Sequence, residues 1–266
     1  MTLGDLRDEA LEAFFYLAKG TSSAFPNAVI KHEQDTDIVW SGTDFVILNG
    51  AFRVSQATTL AELEQTFKYV ESQFRDLDRG SGGIVVFEAG ALLDSGVSKE
   101  AIAELAAKYN MNTPFDTTMA RDGGTFDKVD LRGLEVKKNE TVEQIGQLFR
   151  LHHPADTTDW SYPAEFWNSL YSYSGYVDGK VVTTATTHIY KGVVFLSCVG
   201  TDPEYRNRGY GTAISKYALQ QSLEESGSKI SLLHASDMGR PVYEKLGFKE
   251  IGTAVLAVYQ KPTPQE

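Results

Sequence analysis

Apolar residues recur at helical spacing over the first twenty residues of the chain. They are Leu3, Leu6, Ala10, Ala13, Phe14 and Leu17. This spacing predicts an amphipathic helix at the surface of the protein. Acidic residues interrupt the apolar run at Asp5, Asp8, Glu9 and Glu12. A secretory signal needs an unbroken apolar segment after a basic start, so we do not expect one here.

The rest of the first half alternates between strand and helix patterns. The predicted elements are two strands over 37–53, a helix over 59–74, a strand over 82–90, a helix over 98–110 and a strand over 114–120. The two strands join at the turn Ser41-Gly42-Thr43. Thr59 and Glu62 have the spacing of a capping box, and Ser98 stands where an N-cap is expected.

A polar segment with two adjacent glycines, residues 121–130, separates the two halves of the chain. Segments of this composition are typical of linkers, so we expect domains over 1–128 and 129–266. The elements predicted in the second domain are a strand over 131–139, helices over 141–153 and 163–172, three strands over 174–201, a helix over 210–225, a strand over 229–236, a helix over 238–247 and a strand over 248–260. The turn pairs Asp178-Gly179 and Lys191-Gly192 join the three strands. The sequence therefore predicts a mixed α/β fold.

Composition narrows the class of protein. The chain has 266 residues, 42% of them hydrophobic and 23% charged, with a formal net charge of −11. An acidic chain of this kind repels nucleic acid and anionic membrane surfaces, so we expect neither as a partner. Cys198 is the single cysteine, which excludes an internal disulfide and fits a reducing compartment. We therefore expect a cytoplasmic monomer or homodimer.

The segment "YRNRGYGTA", from Tyr205 to Ala213, concentrates arginine and glycine at the start of a predicted helix. A helix N-terminus offers unpaired N–H groups and a partial positive charge, and glycine lets an anion approach the backbone closely. A dinucleotide fingerprint would need a third glycine at Ile214, and the Gly-Lys-Ser/Thr of a Walker loop is absent. A phosphate cradle is therefore one interpretation, and a glycine-containing turn with solvated arginines is the other.

Two motifs resemble the GNAT superfamily of N-acetyltransferases. Arg206, Gly209 and Gly211 match its Arg-x-x-Gly-x-Gly signature, and "HASDMGRPVYEKLGF" looks like the motif that follows it. The resemblance covers about half of the chain. It implies a mixed, largely antiparallel central sheet flanked by helices, with acetyl-CoA as co-substrate. We expect no metal, because His152 and His153 are neighbours that cannot easily share one metal and no Cys/His cluster accompanies them.

The resemblance also implies roles for particular residues. The pyrophosphate of acetyl-CoA is expected on the backbone of Arg206, Asn207, Arg208, Gly209, Tyr210, Gly211 and Thr212. The pantetheine arm is expected to pair like an added strand along Val199, Gly200 and Thr201. Tyr243 matches the tyrosine that faces the departing sulfur. Ser236 stands where the family often has an asparagine that contacts pantetheine.

Acetyl transfer needs an oxyanion donor, an acid for the leaving thiolate and a neutral amine. A backbone N–H near Val199 can be the oxyanion donor. Proton transfer from a tyrosine of pKa about 10 to a thiolate of pKa about 8.5 is uphill by about 2 kcal/mol, so Tyr243 is better described as a hydrogen-bond donor. No general base stands out. His188, Asp202 and Glu204 could act through water, and Cys198 as an acyl-carrying nucleophile is a further alternative.

The first half lacks the Arg-x-x-Gly-x-Gly loop, although "ILNGAFR" looks like part of a degenerate half of a two-part acetyltransferase. We therefore expect a second, GNAT-like N-terminal domain, with Asn49 and Arg53 as candidates for lining the acceptor pocket. The expected function is transfer of an acetyl group from acetyl-CoA to a primary amine of a small molecule. The alternative is a non-catalytic acyl-CoA-binding or regulatory module.

Overall fold

The computed structural model describes residues 3–76, 82–152, 167 and 170–260. The helices are α1 (Leu3–Ser23), α2 (Leu60–Asp76), α3 (Gly90–Asp94), α4 (Lys99–Ala107), α5 (Val142–His152), α6 (Tyr210–Ser226) and α7 (Arg240–Lys245). The strands are β1 (Val29–Glu33), β2 (Thr36–Trp40), β3 (Asn49–Arg53), β4 (Gly82–Glu88), β5 (Met111–Asn112), β6 (Phe115–Asp122), β7 (Glu135–Lys138), β8 (Tyr171–Val177), β9 (Lys180–Tyr190), β10 (Val193–Thr201), β11 (Ile230–Ala235) and β12 (Lys249–Gln260). The predicted mixed α/β class is confirmed. Within the described ranges, no helix is long and apolar enough to cross a membrane.

The chain divides into two compact units. One unit joins the residues up to Thr117 with those from Gly252 onward, and the other is Thr118–Ile251. This division differs from the predicted boundary near residue 128, because the C-terminal strand belongs to the first unit. There, Ala254 to Gln260 pair antiparallel with Glu88 to Gly82. That either unit is an independent domain stays a prediction.

The first unit has the strand order β1-β2-β3-β4-β12, and β5 pairs with β12. Successive residues of β3 pack in two different hydrophobic cores, because side chains alternate between the two faces of a sheet. Ala51 lies in the core that also contains Phe67 of α2 and Ile102 of α4. Phe52 lies in the other core with Leu11 of α1. Helices therefore flank both faces of this sheet.

The hairpin of β1 and β2 was not predicted from the sequence. Its turn residues Gln34 and Asp35 both have positive φ, at 50° and 60°. Such turns usually contain glycine or asparagine, and this one has neither. The usual sequence signal for a hairpin is therefore missing, although β1 and β2 pair over five residues.

The second unit has the strand order β6-β11-β10-β9-β8-β7. The turn pairs Asp178-Gly179 and Lys191-Gly192 have positive φ at all four residues, which confirms both predicted hairpins. The helices α6 and α7 share one core with β10 and β11, including Ile214, Tyr243, Leu196 and Leu233. The helix expected over 163–172 falls mostly outside the described residues, and its last two residues belong to β8.

The two units repeat one pairing pattern. In the first, β1–β2 and β2–β3 are antiparallel and β3–β4 is parallel. In the second, β8–β9 and β9–β10 are antiparallel and β10–β11 is parallel. In each unit a long helix follows the third of these strands. The repeated order is consistent with two related halves.

Asn49 is a structural residue of the first unit rather than a lining residue. Its side chain is fully buried. The amide oxygen accepts hydrogen bonds from the N–H of Ser41 at 3.1 Å and of Gly42 at 3.2 Å. The amide nitrogen donates to the carbonyl oxygens of Thr43 at 2.8 Å and Gly82 at 3.1 Å. Arg53, the other candidate for lining a pocket, is also buried and donates to Thr66.

We predict that Asn49→Ala destabilises the protein by about 3 kcal/mol, because the substitution leaves several buried donors and acceptors without partners. The measurement is urea unfolding of the full chain. Asn112→Ala is the matched control, since Asn112 is exposed on β5. An Asn49→Ala protein that unfolds at the wild-type urea concentration would show that this network does not hold the loop.

Candidate functional site

The parallel pairing of β10 with β11 stops partway along β10. The paired residues are Val194 to Leu196 with Ser231 to Leu233. β10 continues to Thr201, and within the described residues no strand pairs with its β11-facing edge beyond Leu196. This edge, from Ser197 to Thr201, is called the open edge below.

A bulge turns the backbone of the open edge. The register between β10 and β9 shifts between Ser197 and Gly200, and Cys198 has a φ of +49°. The N–H of Asp202 donates to Val182 on the β9 side at 2.9 Å. The carbonyl oxygens of Cys198 and Gly200 accept hydrogen bonds from the hydroxyls of Thr184 and Thr183 on β9. The C=O and N–H of one trans peptide group point in opposite directions, so the N–H groups of Val199 and Thr201 point to the β11 side. The open edge therefore presents these donors where a strand would otherwise pair.

The N-terminus of α6 follows the open edge after a short loop. Asn207 and the N-cap Gly209 have φ of +61° and +81°, and the N-cap makes no side-chain hydrogen bond. The first intrahelical bond is donated by Ala213 to Gly209 at 3.0 Å. Among the described residues, the N–H groups of residues 207–212 have no hydrogen-bond acceptor. These donors form what is called the cradle below.

The two glycines of the motif act in different ways. Gly209 adopts a left-handed conformation that disfavours any side chain. Gly211 has an ordinary helical conformation, and a Cβ there would meet only the hydroxyl of Thr201 at 3.3 Å. A small side chain at Gly211 would therefore require the Thr201 hydroxyl to move by a few tenths of an ångström. The glycine leaves room above the helix N-terminus.

The two motif arginines brace the loop. Nε of Arg206 donates to the carbonyl oxygen of Thr201 at 3.1 Å, which ties the end of β10 to the cradle. The guanidinium of Arg208 donates to the carbonyl oxygen of Glu204 at 3.2 Å and lies 5.0 Å from the ring centre of Tyr205. Both arginines are exposed, so these contacts leave the alternative of a turn with solvated arginines open.

The side chains of Tyr243 and Ser236 both lie close to Gly239. A Cβ at Gly239 would stand 3.2 Å from the Tyr243 ring and 3.5 Å from the Ser236 hydroxyl. The Ser236 hydroxyl accepts the N–H of Gly239 at 3.3 Å. Tyr243 is 8% exposed and shares its core cluster with Leu196 and Val199. The second motif is therefore placed beside the strand that carries the open edge.

The structure offers little support for the three candidate bases. His188 is buried, with its ring 5.3 Å from that of Phe195. Lys180 forms ion pairs with Asp202 at 3.0 Å and with Glu204 at 3.6 Å. The hydrogen bond from Lys180 holds the pKa of Asp202 below its usual value, and the backbone N–H of Glu204 adds to this. A carboxylate stabilised in this way is a weak base.

Cys198 is not suited to be a nucleophile. Cys198 as a residue is partly exposed. Desolvation of its thiol by the surrounding protein raises the pKa to about 11, against a smaller lowering by a hydrogen bond with Ser197. The thiolate is the reactive form, and at neutral pH this thiol is protonated. Cys198 instead forms the bulge that turns the open edge.

The corresponding helix of the first unit begins with an acidic cap. The carboxylate of Glu62 accepts the N–H of Thr58 at 2.8 Å, and the N–H of Glu62 donates to the Thr59 hydroxyl at 3.3 Å. The hydrogen bond from the Thr58 backbone lowers the pKa of Glu62. β3 also pairs with β4 up to Phe52, next to its last residue. An acidic cap and a paired strand therefore stand where the second unit has the cradle and the open edge.

Comparison with known proteins agrees with this geometry. The acetyltransferase (GNAT) family model matches residues 142–248. The matched residues include the open edge, the cradle and Tyr243. No curated relative matches the chain by sequence.

Solved structures are similar to the chain over its full length. A GCN5-related N-acetyltransferase from Kribbella flavida has a TM-score of 0.63 at 19% identity, covering 96% of this chain and 96% of that chain. A GCN5-related N-acetyltransferase from Sphaerobacter thermophilus has a TM-score of 0.55 at 12% identity, covering 100% of this chain and 96% of that chain. At these identities the likeness shows the fold alone.

We predict that the Cys198 thiol of the folded protein reacts slowly with a disulfide reagent such as Ellman's reagent between pH 7 and 9. The expected rate rises only as the pH nears the raised pKa, because the thiolate is scarce below it. The same protein unfolded in urea is the control and should react as an ordinary thiol. Fast reaction of the folded protein at pH 7 would restore Cys198 as a candidate nucleophile.

Proposed function

We propose that the protein is an acetyl-CoA-dependent N-acetyltransferase whose second unit binds acetyl-CoA. The observation that carries this proposal is the cradle, whose N–H groups at residues 207–212 lack acceptors and adjoin the open edge. A row of free N–H groups at a helix N-terminus favours an anion. The family match over the same residues makes the pyrophosphate of acetyl-CoA the fitting anion.

Each part of acetyl-CoA has a chemically suitable partner. The pyrophosphate would accept hydrogen bonds from the cradle, and the pantetheine amides would pair with Val199 to Thr201 as an added strand. The Ser236 hydroxyl accepts from Gly239, so its own proton remains available for a pantetheine carbonyl. Ser236 can thus replace the asparagine of the family with a shorter reach.

The reaction is attack by a neutral amine nitrogen on the thioester carbonyl carbon. A C–N bond forms, the C–S bond breaks, the nitrogen loses one proton and the leaving sulfur gains one. The N–H of Val199 is the proposed oxyanion donor, since it points into the gap beside β11. Tyr243 is proposed to donate a hydrogen bond to the departing thiolate. The proton from nitrogen is assigned to solvent.

The acceptor is proposed to be the primary amine of a small molecule in the cytoplasm. The first unit is proposed to be a degenerate GNAT-like half, supported by its repeated strand order. The acidic cap at Glu62 supports a single acetyl-CoA site per chain, because its carboxylate repels phosphate. A non-catalytic acyl-CoA-binding module is the second candidate. The weak candidate bases favour it, and the position of Tyr243 favours the enzyme.

We predict that Gly211→Val weakens acetyl-CoA binding by at least tenfold, about 1.4 kcal/mol, because the side chain fills the space above the cradle. Isothermal titration calorimetry measures the affinity. Gly211→Ala is the matched control, since it adds only the first carbon near Thr201 and should fall between wild type and valine. A folded Gly211→Val protein with wild-type affinity would exclude the cradle as the pyrophosphate site.

We predict that Tyr243→Phe lowers the acetylation rate at least tenfold and leaves acetyl-CoA affinity nearly unchanged. The lost hydrogen bond acts mainly in the transition state, where acid catalysis contributes about 10²- to 10⁴-fold. The measurement is thiol release from acetyl-CoA over a panel of polyamines, aminoglycosides and amino acids. Absence of release with every amine, despite binding, would favour the non-catalytic module. A Tyr243→Phe enzyme at the wild-type rate would make Tyr243 a core residue only.

A further inference from the structure

Arg132 lies outside both motifs but beside the cradle. A Cβ at Gly209, the N-cap of α6, would stand 3.8 Å from Nε of Arg132 and 3.9 Å from its Cγ. The side chain of Arg132 therefore runs along the helix N-terminus at van der Waals distance. It comes from a part of the sequence more than seventy residues before the Arg-x-x-Gly-x-Gly loop.

A tight turn presents Arg132 at this place. The N–H of Leu134 donates to the carbonyl oxygen of Leu131 at 2.9 Å. Arg132 and Gly133 between them have φ of +56° and +81°, as a type I′ turn requires. Both leucines pack in a cluster with Tyr205, Tyr210 and Ala213 around the cradle. The turn is therefore anchored to the residues that shape the anion site.

The present partner of Arg132 is easily replaced. Nε of Arg132 pairs with the Asp130 carboxylate at 3.2 Å, and the two side chains are 61% and 63% exposed. Exposed ion pairs of this kind contribute little to stability. Arg206 and Arg208, in contrast, donate to the carbonyl oxygens of their own loop. Arg132 is thus the arginine at the cradle that can turn to a bound anion at the lowest cost.

We propose that Arg132 binds a phosphate group of acetyl-CoA, exchanging Asp130 for the ligand. This inference rests on the proposed function. A guanidinium binds phosphate through paired N–H donors, which a lysine at the same place cannot reproduce. Asp130 has two roles in the free protein, since its carboxylate also accepts the backbone N–H of Arg132 at 3.0 Å. It holds the turn in shape while it occupies the guanidinium.

The test measures CoA affinity of the full chain by calorimetry at low salt. Arg132→Gln is expected to weaken binding about tenfold. Arg132→Lys is expected to weaken it less than Arg132→Gln does, because the ammonium keeps the positive charge but lacks the paired N–H donors of the guanidinium. The loss should shrink at high salt. Arg75→Gln is the control, since Arg75 is an exposed arginine of the first unit and its loss changes the net charge equally.

The variant Asp130→Asn distinguishes the ion pair with the Arg132 guanidinium from the hydrogen bond that holds the turn. Asparagine keeps an acceptor for the backbone N–H and removes the ion pair, so CoA binding is expected to be as tight as in wild type or tighter. Weaker binding in Asp130→Asn, or wild-type affinity in Arg132→Gln, would overturn the proposal. If wild type itself binds no CoA, the proposed function fails instead, which keeps the two failures distinct.

A parallel titration with 3′-dephospho-CoA identifies the phosphate. If Arg132→Gln weakens both ligands equally, Arg132 contacts the pyrophosphate. If it weakens only CoA, Arg132 contacts the 3′-phosphate. Either pattern supports the proposal, and equal affinities of wild type and variant for both ligands contradict it.

Discussion

Backbone hydrogen bonding at the end of β10 determines what the second unit can bind. A strand that leaves its neighbour must satisfy its N–H and C=O groups elsewhere, with water, side chains or a ligand. Here β10 leaves β11 after Leu196, and the bulge at Cys198 turns its next donors to the vacated side. A short loop then leads to the N-terminus of α6, whose first N–H groups also lack intrahelical acceptors. Two sets of unpaired donors therefore follow each other along the chain.

The first unit shows what happens without that irregularity. Its third strand pairs up to Phe52, and the helix that follows is capped by Glu62. The order of these four strands is the same, but the third strand is paired nearly to its end and the carboxylate of Glu62 caps the helix that follows. The two units therefore differ at the end of the third strand and at the start of the following helix, and in the first unit Asn49 and Arg53 are buried.

Much of this site could be predicted from the sequence, because its determinants are local. Local signals include the two glycines at residues 209 and 211, the capping pairs and the two turn pairs. The helices that begin at the caps are confirmed, and so are the two hairpins formed by the turn pairs. The pairing of the C-terminal strand β12 with β4 of the first unit joins distant parts of the sequence, and no local pattern encodes it. The turn at Arg132 was predicted as the start of a strand, because Leu131 and Leu134 are apolar and Arg132 adopts a conformation usually taken by glycine.

The central claim is that acetyl-CoA binds to the unpaired N–H groups of the open edge and the cradle. Amide hydrogen exchange tests it directly, because N–H groups without acceptors exchange quickly in the free protein. Addition of acetyl-CoA should slow exchange at residues 199, 201 and 207–212, and leave residues 58–62 of the first unit unchanged. Binding of acetyl-CoA with no protection at residues 207–212, or with equal protection at residues 58–62, would contradict the claim.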